Sequence, residues 1–102
     1  MVIADIFKQS EDSRIIIKEI AFDTVEWKES DRNVLLKLAS NKGDVRDVCL
    51  ANFMVGETFA TAILSTLKKF NVTPEDIQLI GSHGQTIWHE VARGKYKASL
   101  IS

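Results

Sequence analysis

The chain has 102 residues, of which 45% are hydrophobic and 26% charged, and its formal net charge is −1. This length suits one small domain near the lower limit for burying a good core, and the composition is that of a folded chain. The balanced charge argues against a nucleic-acid partner held by phosphate neutralisation. Because Cys49 is the single cysteine, an internal disulfide and a cysteine-based zinc site are excluded. Its place within a helical pattern predicts a small buried apolar side chain.

The beginning of the chain lacks the pattern of a secretory signal, a basic segment followed by an apolar stretch. No apolar run approaches the length of a membrane span. These features predict a cytoplasmic protein without a membrane partner.

The first predicted elements are two strands, at residues 2–7 and 14–22. The first is an apolar run with one aspartate, and the second is rich in β-branched side chains. Residues 9–13 between them are turn formers, so the strands are expected to pair antiparallel. Val25 and Trp27 could extend the second strand, with Trp27 packed at the sheet edge.

Two helices are predicted next. Ser30 or Asp31 can cap the first, and Gly43 is expected to follow its end in a left-handed or turn conformation. Asp44 is a natural N-cap for the second helix, at residues 45–70.

One stripe of the long helix is predicted to face the core, because its residues recur three and four apart: Val48, Asn52, Val55, Phe59, Ala62, Ile63, Thr66 and Leu67. Asn52 is polar within this stripe, so it needs a hydrogen-bond partner or faces a cavity. Gly56 and Ala60 form a small-residue patch. A mid-helix glycine costs ~1 kcal/mol against alanine, so we expect Gly56 to allow close packing and Gly56→Leu to destabilise the domain. Clearance for a ligand is the alternative.

The last third of the chain predicts a short turn and two strands. Asn71 can end the long helix in a left-handed conformation, and Thr73-Pro74 begins a brief helical turn. The apolar run at residues 77–80 predicts a buried strand. Residues 98–101 are expected to pair with residues 85–88 as a hairpin.

A polar corner follows the predicted strand, with the sequence Gly-Ser-His-Gly-Gln-Thr at residues 81–86. The two glycines allow the backbone to bend, so polar side chains and N–H groups can gather at the end of the strand, where ligands bind in open α/β sheets. Histidine and glutamine suit sugar hydroxyls and amides. A hydrogen-bonded structural turn is the alternative.

Two other kinds of site are disfavoured at this corner. His83, His89 and Glu90 do not have a standard zinc spacing, and we predict no metal site. Ser82 beside His83 could suggest a hydrolase, but neighbouring residues of a strand point to opposite faces and the nucleophile elbow is missing.

Two segments resemble the anhydro-N-acetylmuramic acid kinases, a family of the actin/sugar-kinase/Hsp70-like ATPase superfamily. Residues 80–89 read IGSHGQTIWH, where the family carries IGSHGQTIxH, and residues 55–62 read VGETFATA, where it carries LGxxFAxA. The order and spacing of the segments also match. The resemblance is strongest from Asn52 to His89 and weak before Val45, and family members are several times longer than this chain.

The resemblance implies an α/β fold, seen here as an α+β-like fragment. Residues 1–102 would form a single partial domain, resembling the N-terminal domain of the kinase. This would be a partial RNase-H-like, actin-like ATPase half-domain with a β-hairpin, two helices and a return strand, and with the strand at residues 77–80 beside the first strand.

The resemblance also implies the binding residues. By motif match, His83, Gln85 and Thr86 would contact an amino-sugar substrate. Ser82, His89 and Asn52 are possible supporting residues behind them. No catalytic residue is assigned within the chain.

The family uses ATP and magnesium, but the resemblance implies that this chain alone binds neither. The family's glycine-containing phosphate loop precedes its first strand, and its catalytic aspartate lies on a segment beyond residue 102. Ile101 stands where the family has glutamine, which argues against ligand contacts from this strand.

We therefore expect a fragment of a kinase that opens and phosphorylates 1,6-anhydro-N-acetylmuramic acid in cell-wall recycling. It would be inactive without the remainder of the enzyme or a partner chain. The alternative is a truncated or degenerate, non-catalytic domain that binds a small ligand or a partner.

Overall fold

The computed structural model describes residues 1–8, 14–92, 94–95 and 99–101, and within them the chain is α+β. Its elements in order are β1 (Val2–Lys8), β2 (Ile15–Phe22), α1 (Glu29–Ala39), α2 (Val45–Lys69), a 3-10 turn (Pro74–Asp76), β3 (Trp88–Glu90) and β4 (Ser99–Ile101). β1 pairs with β2 and β3 pairs with β4, so the described strands form two separate two-stranded sheets. The predicted connection at residues 9–13 lies outside the described residues.

The antiparallel β1–β2 hairpin confirms the first prediction. Ile3 lies opposite Ala21, and the next pair is Ala4 with Glu19. Ile20 therefore has no cross-strand partner and forms a β-bulge. Ile3 and Ala21 are buried and share one face of the hairpin, since cross-strand partners point to the same side. This face packs against α2.

The opposite face of the hairpin is apolar and exposed. The cross-strand pair Ile6 and Ile17 lies on it, and these side chains are 65% and 67% exposed. Val2 and Phe22, the next exposed apolar pair, lie on the same side by alternation. No described element of the chain covers this face.

The long helix α2 begins with a capping box. The Asp44 carboxylate accepts the backbone N–H of Asp47 at 2.9 Å, and the Asp44 N–H donates to the Asp47 carboxylate at 3.0 Å. Lys37 of α1 donates to the same carboxylate at 2.8 Å and holds the two helices together at this end. The N-cap prediction is confirmed, and so is the left-handed Asn71 after the helix, with φ of 55°.

Buried side chains lie at two places along α2. Toward its C-terminal end, Leu67 packs with Ile3 and Ala21 of the hairpin. Toward its N-terminal end, α2 packs against α1, where Leu35 and Ala51 are buried.

The ends of α1 differ from the prediction. The helix starts at Glu29, one residue before Ser30, so Lys28 is the N-cap, and its side chain makes no capping hydrogen bond. Asn41 takes the left-handed conformation with φ of 54°, the role predicted for Gly43. Gly43 is needed for space instead, since a Cβ there would collide with the side chain of Leu38.

The predicted strand at residues 77–80 does not form, so no third strand lies beside β1. Ile77 packs on the hydrophobic core, but Leu79 and Ile80 are 83% and 61% exposed and no described strand pairs with them. An apolar run becomes a strand only when another strand supplies hydrogen-bond partners.

Two smaller strand predictions have mixed outcomes. Val25 and Trp27 do not extend β2, and Trp27 packs against Phe59 of α2 with ring centroids 5.7 Å apart. The C-terminal hairpin does form, but its register pairs Trp88 with Ile101, so its first strand starts three residues later than predicted.

Two predictions about α2 are wrong. Cys49 is exposed, because no described element covers its side chain. The helix is also long and apolar enough, by length and composition alone, to cross a membrane, whereas the sequence analysis predicted no apolar run of that length. A core helix of a soluble protein can have the same composition, but only 11% of the apolar window of α2 is buried within the described structure.

Candidate functional site

A cleft of about 480 Å³ lies between α1, the N-terminal half of α2 and the polar corner at residues 81–86. Its apolar lining is Leu35, Val48, Ala51, Val55, Phe59 and Ile87. Its polar lining is Asn52, Ser82, His83 and Gln85, with Gly56 and Gly84 completing the walls. This combination of an apolar wall and a few polar groups is typical of small-molecule sites.

The corner owes its shape to a turn centred on Ser82 and Gly84. The Gly84 N–H donates to the Ser82 hydroxyl at 3.0 Å, and Gly84 has a φ of 70°. A left-handed conformation of this kind favours glycine, which has no Cβ to clash with the backbone. The turn directs the next residue, Gln85, into the cleft lining. Its side-chain amide also donates to the Thr86 carbonyl at 3.3 Å.

The structure brings together four of the residues singled out from the sequence. Ser82, His83, Gln85 and, from α2, Asn52 all line the cleft. His83 and Asn52 are exposed, and neither side chain makes a hydrogen bond within the described part of the chain. Their polar atoms are therefore available to a ligand.

Two singled-out residues do not line the cleft. Thr86 is exposed next to the cleft residue Gln85, and its carbonyl, not its hydroxyl, takes part in the local hydrogen bonding. His89 lies in β3 and is exposed, and the neighbouring Trp88 donates its indole N–H to Glu90 at 3.2 Å.

Sequence reasoning missed the apolar wall that α2 contributes. Val55 and Phe59 were expected in the core, yet both are only half-buried and line the cleft. The signal was Asn52, because a polar residue within an apolar stripe pointed to either a partner or a cavity, and the structure shows the cavity.

The expected close packing at Gly56 is wrong. A Cβ built on Gly56 meets no atom within 4 Å in the described part of the chain, and Ala60, the other member of the small patch, is exposed. Gly56 borders the cleft instead. The predicted damage from Gly56→Leu by overpacking therefore has no structural basis.

Among the residues that the structure describes, no lysine, arginine, aspartate or glutamate lines the cleft. Among the described residues, no group of three or more histidine, cysteine, aspartate or glutamate side chains could hold a metal ion. A nucleoside triphosphate with magnesium needs cationic groups and carboxylates, so these residues do not fit one. The cleft suits a ligand of hydroxyl and amide groups with an apolar part.

The structure thus shows an α+β unit with a cleft lined by hydroxyl, amide and apolar side chains. The family model described as anhydro-N-acetylmuramic acid kinase matches residues 11–101. The chain belongs to this family, and the match includes α2 and the polar corner.

Curated relatives have the same family name. A protein named anhydro-N-acetylmuramic acid kinase from Caldanaerobacter subterraneus subsp. tengcongensis is 40% identical over 74 residues, which are 72% of this chain and 19% of that protein. One of the same name from Bacillus cereus strain ATCC 10987 is 37% identical over 75 residues, 72% of this chain and 20% of the relative. A Legionella pneumophila relative is 36% identical over 61 residues, 60% of this chain and 17% of its own length.

The chain spans about a fifth of the length of the curated relatives it matches. No solved structure matches the chain significantly.

Proposed function

We propose that this chain is part of the N-terminal, actin-like domain of an anhydro-N-acetylmuramic acid kinase, and that its cleft binds the amino sugar. The observation that carries the proposal is the position of the family's corner segment. Ser82, His83 and Gln85 line one cleft together with Asn52, and no described residue of its lining is acidic or strongly basic. A sugar with hydroxyl and acetamido groups matches this chemistry better than a phosphate does.

The polar residues have distinct roles in this proposal. Gln85 offers both a donor and an acceptor, which suits neighbouring sugar hydroxyls, and His83 donates or accepts through either ring nitrogen. Ser82 holds the turn through its bond from the Gly84 N–H. Thr86 and His89 remain predicted ligand-side and supporting residues, although neither lines the cleft.

The complete enzyme would open the 1,6-anhydro ring with water and phosphorylate the sugar with ATP and magnesium. This reaction belongs to recycling of the cell wall in the bacterial cytoplasm. Because the described residues that line the cleft do not fit a nucleotide with magnesium, we assign to this chain substrate binding and no part of phosphoryl transfer. The pure chain should produce no sugar-dependent ADP, and ADP production above background would contradict this division of roles.

The binding test is a titration of the pure chain with 1,6-anhydro-N-acetylmuramic acid, followed by calorimetry or amide NMR shifts. We expect saturable binding, with shifts in residues 82–87 and in the N-terminal half of α2. Gln85→Ala should weaken binding about five- to tenfold, the equivalent of one hydrogen bond of ~1 kcal/mol.

Gln78→Ala is the matched control, since Gln78 is exposed outside the cleft. It removes the same side chain from the same segment and should leave the affinity unchanged. Equal losses for both variants, or no saturable binding by the unchanged chain, would rule out the cleft as the sugar site.

A non-catalytic domain that binds a small ligand or partner chain is the second candidate. The exposed apolar face of the β1–β2 hairpin favours it, with Ile6 and Ile17 as its central pair. A chain that fails to bind the sugar but forms a defined complex that Ile17→Lys abolishes would support this candidate over the first.

A further inference from the structure

Asn52 and Gly56 lie one helical turn apart on α2, and both line the cleft. Residues four apart in a helix are neighbours on one face. Asn52 therefore presents an exposed carboxamide beside a position that has no side chain.

The glycine has no structural reason to be there. It lies in the interior of a regular helix, where alanine is the better residue, and it is not among the described residues with positive φ. No atom of the described residues lies within 4 Å of the Cβ position, so close packing does not require it either. What Gly56 does provide is extra depth in the cleft wall.

The side chains around this space are apolar on one side and polar on the other. Val55 and Phe59 of α2 line the cleft near Gly56, whereas Asn52 supplies a donor and an acceptor. An acetamido group has the same two parts, a methyl group and an amide.

We propose that Asn52, Gly56 and Phe59 form the acetamido-binding wall of the cleft and make it selective for N-acetylated sugars. The Asn52 carboxamide hydrogen-bonds the acetamido group, and the methyl group occupies the space left by Gly56 beside the Phe59 ring. This selectivity rests on the proposed function, because it requires that the cleft binds the sugar.

The test compares three ligands on the chain and its variants: 1,6-anhydro-N-acetylmuramic acid, 1,6-anhydro-N-acetylglucosamine and 1,6-anhydroglucose. The first two contain the acetamido group, and only the first has the lactyl group. Gly56→Leu should weaken binding of both acetamido sugars about tenfold or more, as expected when an apolar subsite is filled. Binding of 1,6-anhydroglucose should stay within about twofold of the unchanged chain, as for a ligand that does not use that subsite.

Asn52→Ala tests the polar half of the wall. It should weaken binding of the two acetamido sugars and leave binding of 1,6-anhydroglucose within about twofold of the unchanged chain. Ala60→Leu is the matched control, because Ala60 is exposed on the same helix outside the cleft lining. It should bind all three ligands as the unchanged chain does. Circular dichroism of each variant verifies that the helix is intact.

The outcomes separate the two proposals. If the unchanged chain binds none of the sugars, the proposed function fails and the acetamido wall fails with it. If it binds them but Gly56→Leu leaves acetamido affinity unchanged, only the acetamido wall is overturned. Equal losses for all three ligands, or a loss confined to the lactyl sugar, overturn it as well.

Discussion

Lys69 in the last turn of α2 donates a 2.7 Å hydrogen bond to the Asp23 carboxylate, one residue past the end of β2. The Thr66 hydroxyl donates to the other carboxylate oxygen at 3.4 Å. The Asp23 side chain is only 16% exposed, whereas that of Lys69 is 58% exposed. One partly buried carboxylate thus connects the hairpin to the end of the long helix opposite the cleft-lining half.

Asp23→Asn should lower the thermal midpoint at neutral pH, because it removes the charge that Lys69 and Thr66 stabilise. The Lys69 hydrogen bond is the main reason that the pKa of the Asp23 carboxyl is lowered, and burial opposes it. A pKa that is lower in the folded state gives stability that is complete above the ordinary aspartate value of about 3.9. That stability is lost as the pH falls through the folded-state pKa.

Thermal melts of Asp23→Asn and the unchanged chain should therefore converge as the pH falls below about 3.9. Glu26→Gln is the control, since Glu26 is exposed in the same irregular stretch. A constant gap between the melts down to the lowest pH would mean that Asp23 acts through packing and not through its charge.

Leu67→Ala should cost about 2–5 kcal/mol of unfolding free energy, because it opens a cavity beside Ile3 and Ala21. Leu67 is 4% exposed, whereas Leu64 in the preceding turn of α2 is 56% exposed. Leu64→Ala should change the unfolding free energy by no more than about 0.5 kcal/mol. Urea denaturation measures both changes in unfolding free energy. Equal losses for the two variants would mean that the core between α2 and the hairpin does not centre on Leu67.

Asp44→Ala should cost ~1 kcal/mol, because it removes the carboxylate that accepts the Asp47 N–H at the start of α2. Asp44→Asn retains an acceptor oxygen and should recover most of the loss. Urea denaturation and the helical circular dichroism signal measure the effect. The cap would have no role in stability if the alanine and asparagine variants unfolded alike.

Gly56→Ala should raise the unfolding free energy by up to ~1 kcal/mol, because alanine is the better helix former and the added methyl meets no atom within 4 Å. Gly43→Ala is a contrasting control. Its Cβ would collide with Leu38, a side chain that is only 6% exposed and cannot easily move. We expect Gly43→Ala to destabilise the chain. A loss of stability in Gly56→Ala would restore the close-packing explanation of that glycine.

Features that depend on neighbours along the chain could be predicted from the sequence. The N-cap at Asp44, the left-handed Asn71 and the antiparallel β1–β2 hairpin are all local, and all three are confirmed. Capping and hairpin formation depend on contacts over a few residues, which residue type and spacing report directly. The family motif at the polar corner is local in the same sense.

What depended on distant partners was decided by the tertiary structure. The run at residues 77–80 has the composition of a strand, yet no described strand pairs with it. Gly56 has the same sequence context whether a helix, a ligand or solvent lies beside it, and only the fold shows the open space. Periodicity along α2 shows which side of the helix is apolar, but not which part of that side is covered. That depends on where α1, the hairpin and the polar corner come to lie, because burial is a property of neighbours distant in sequence.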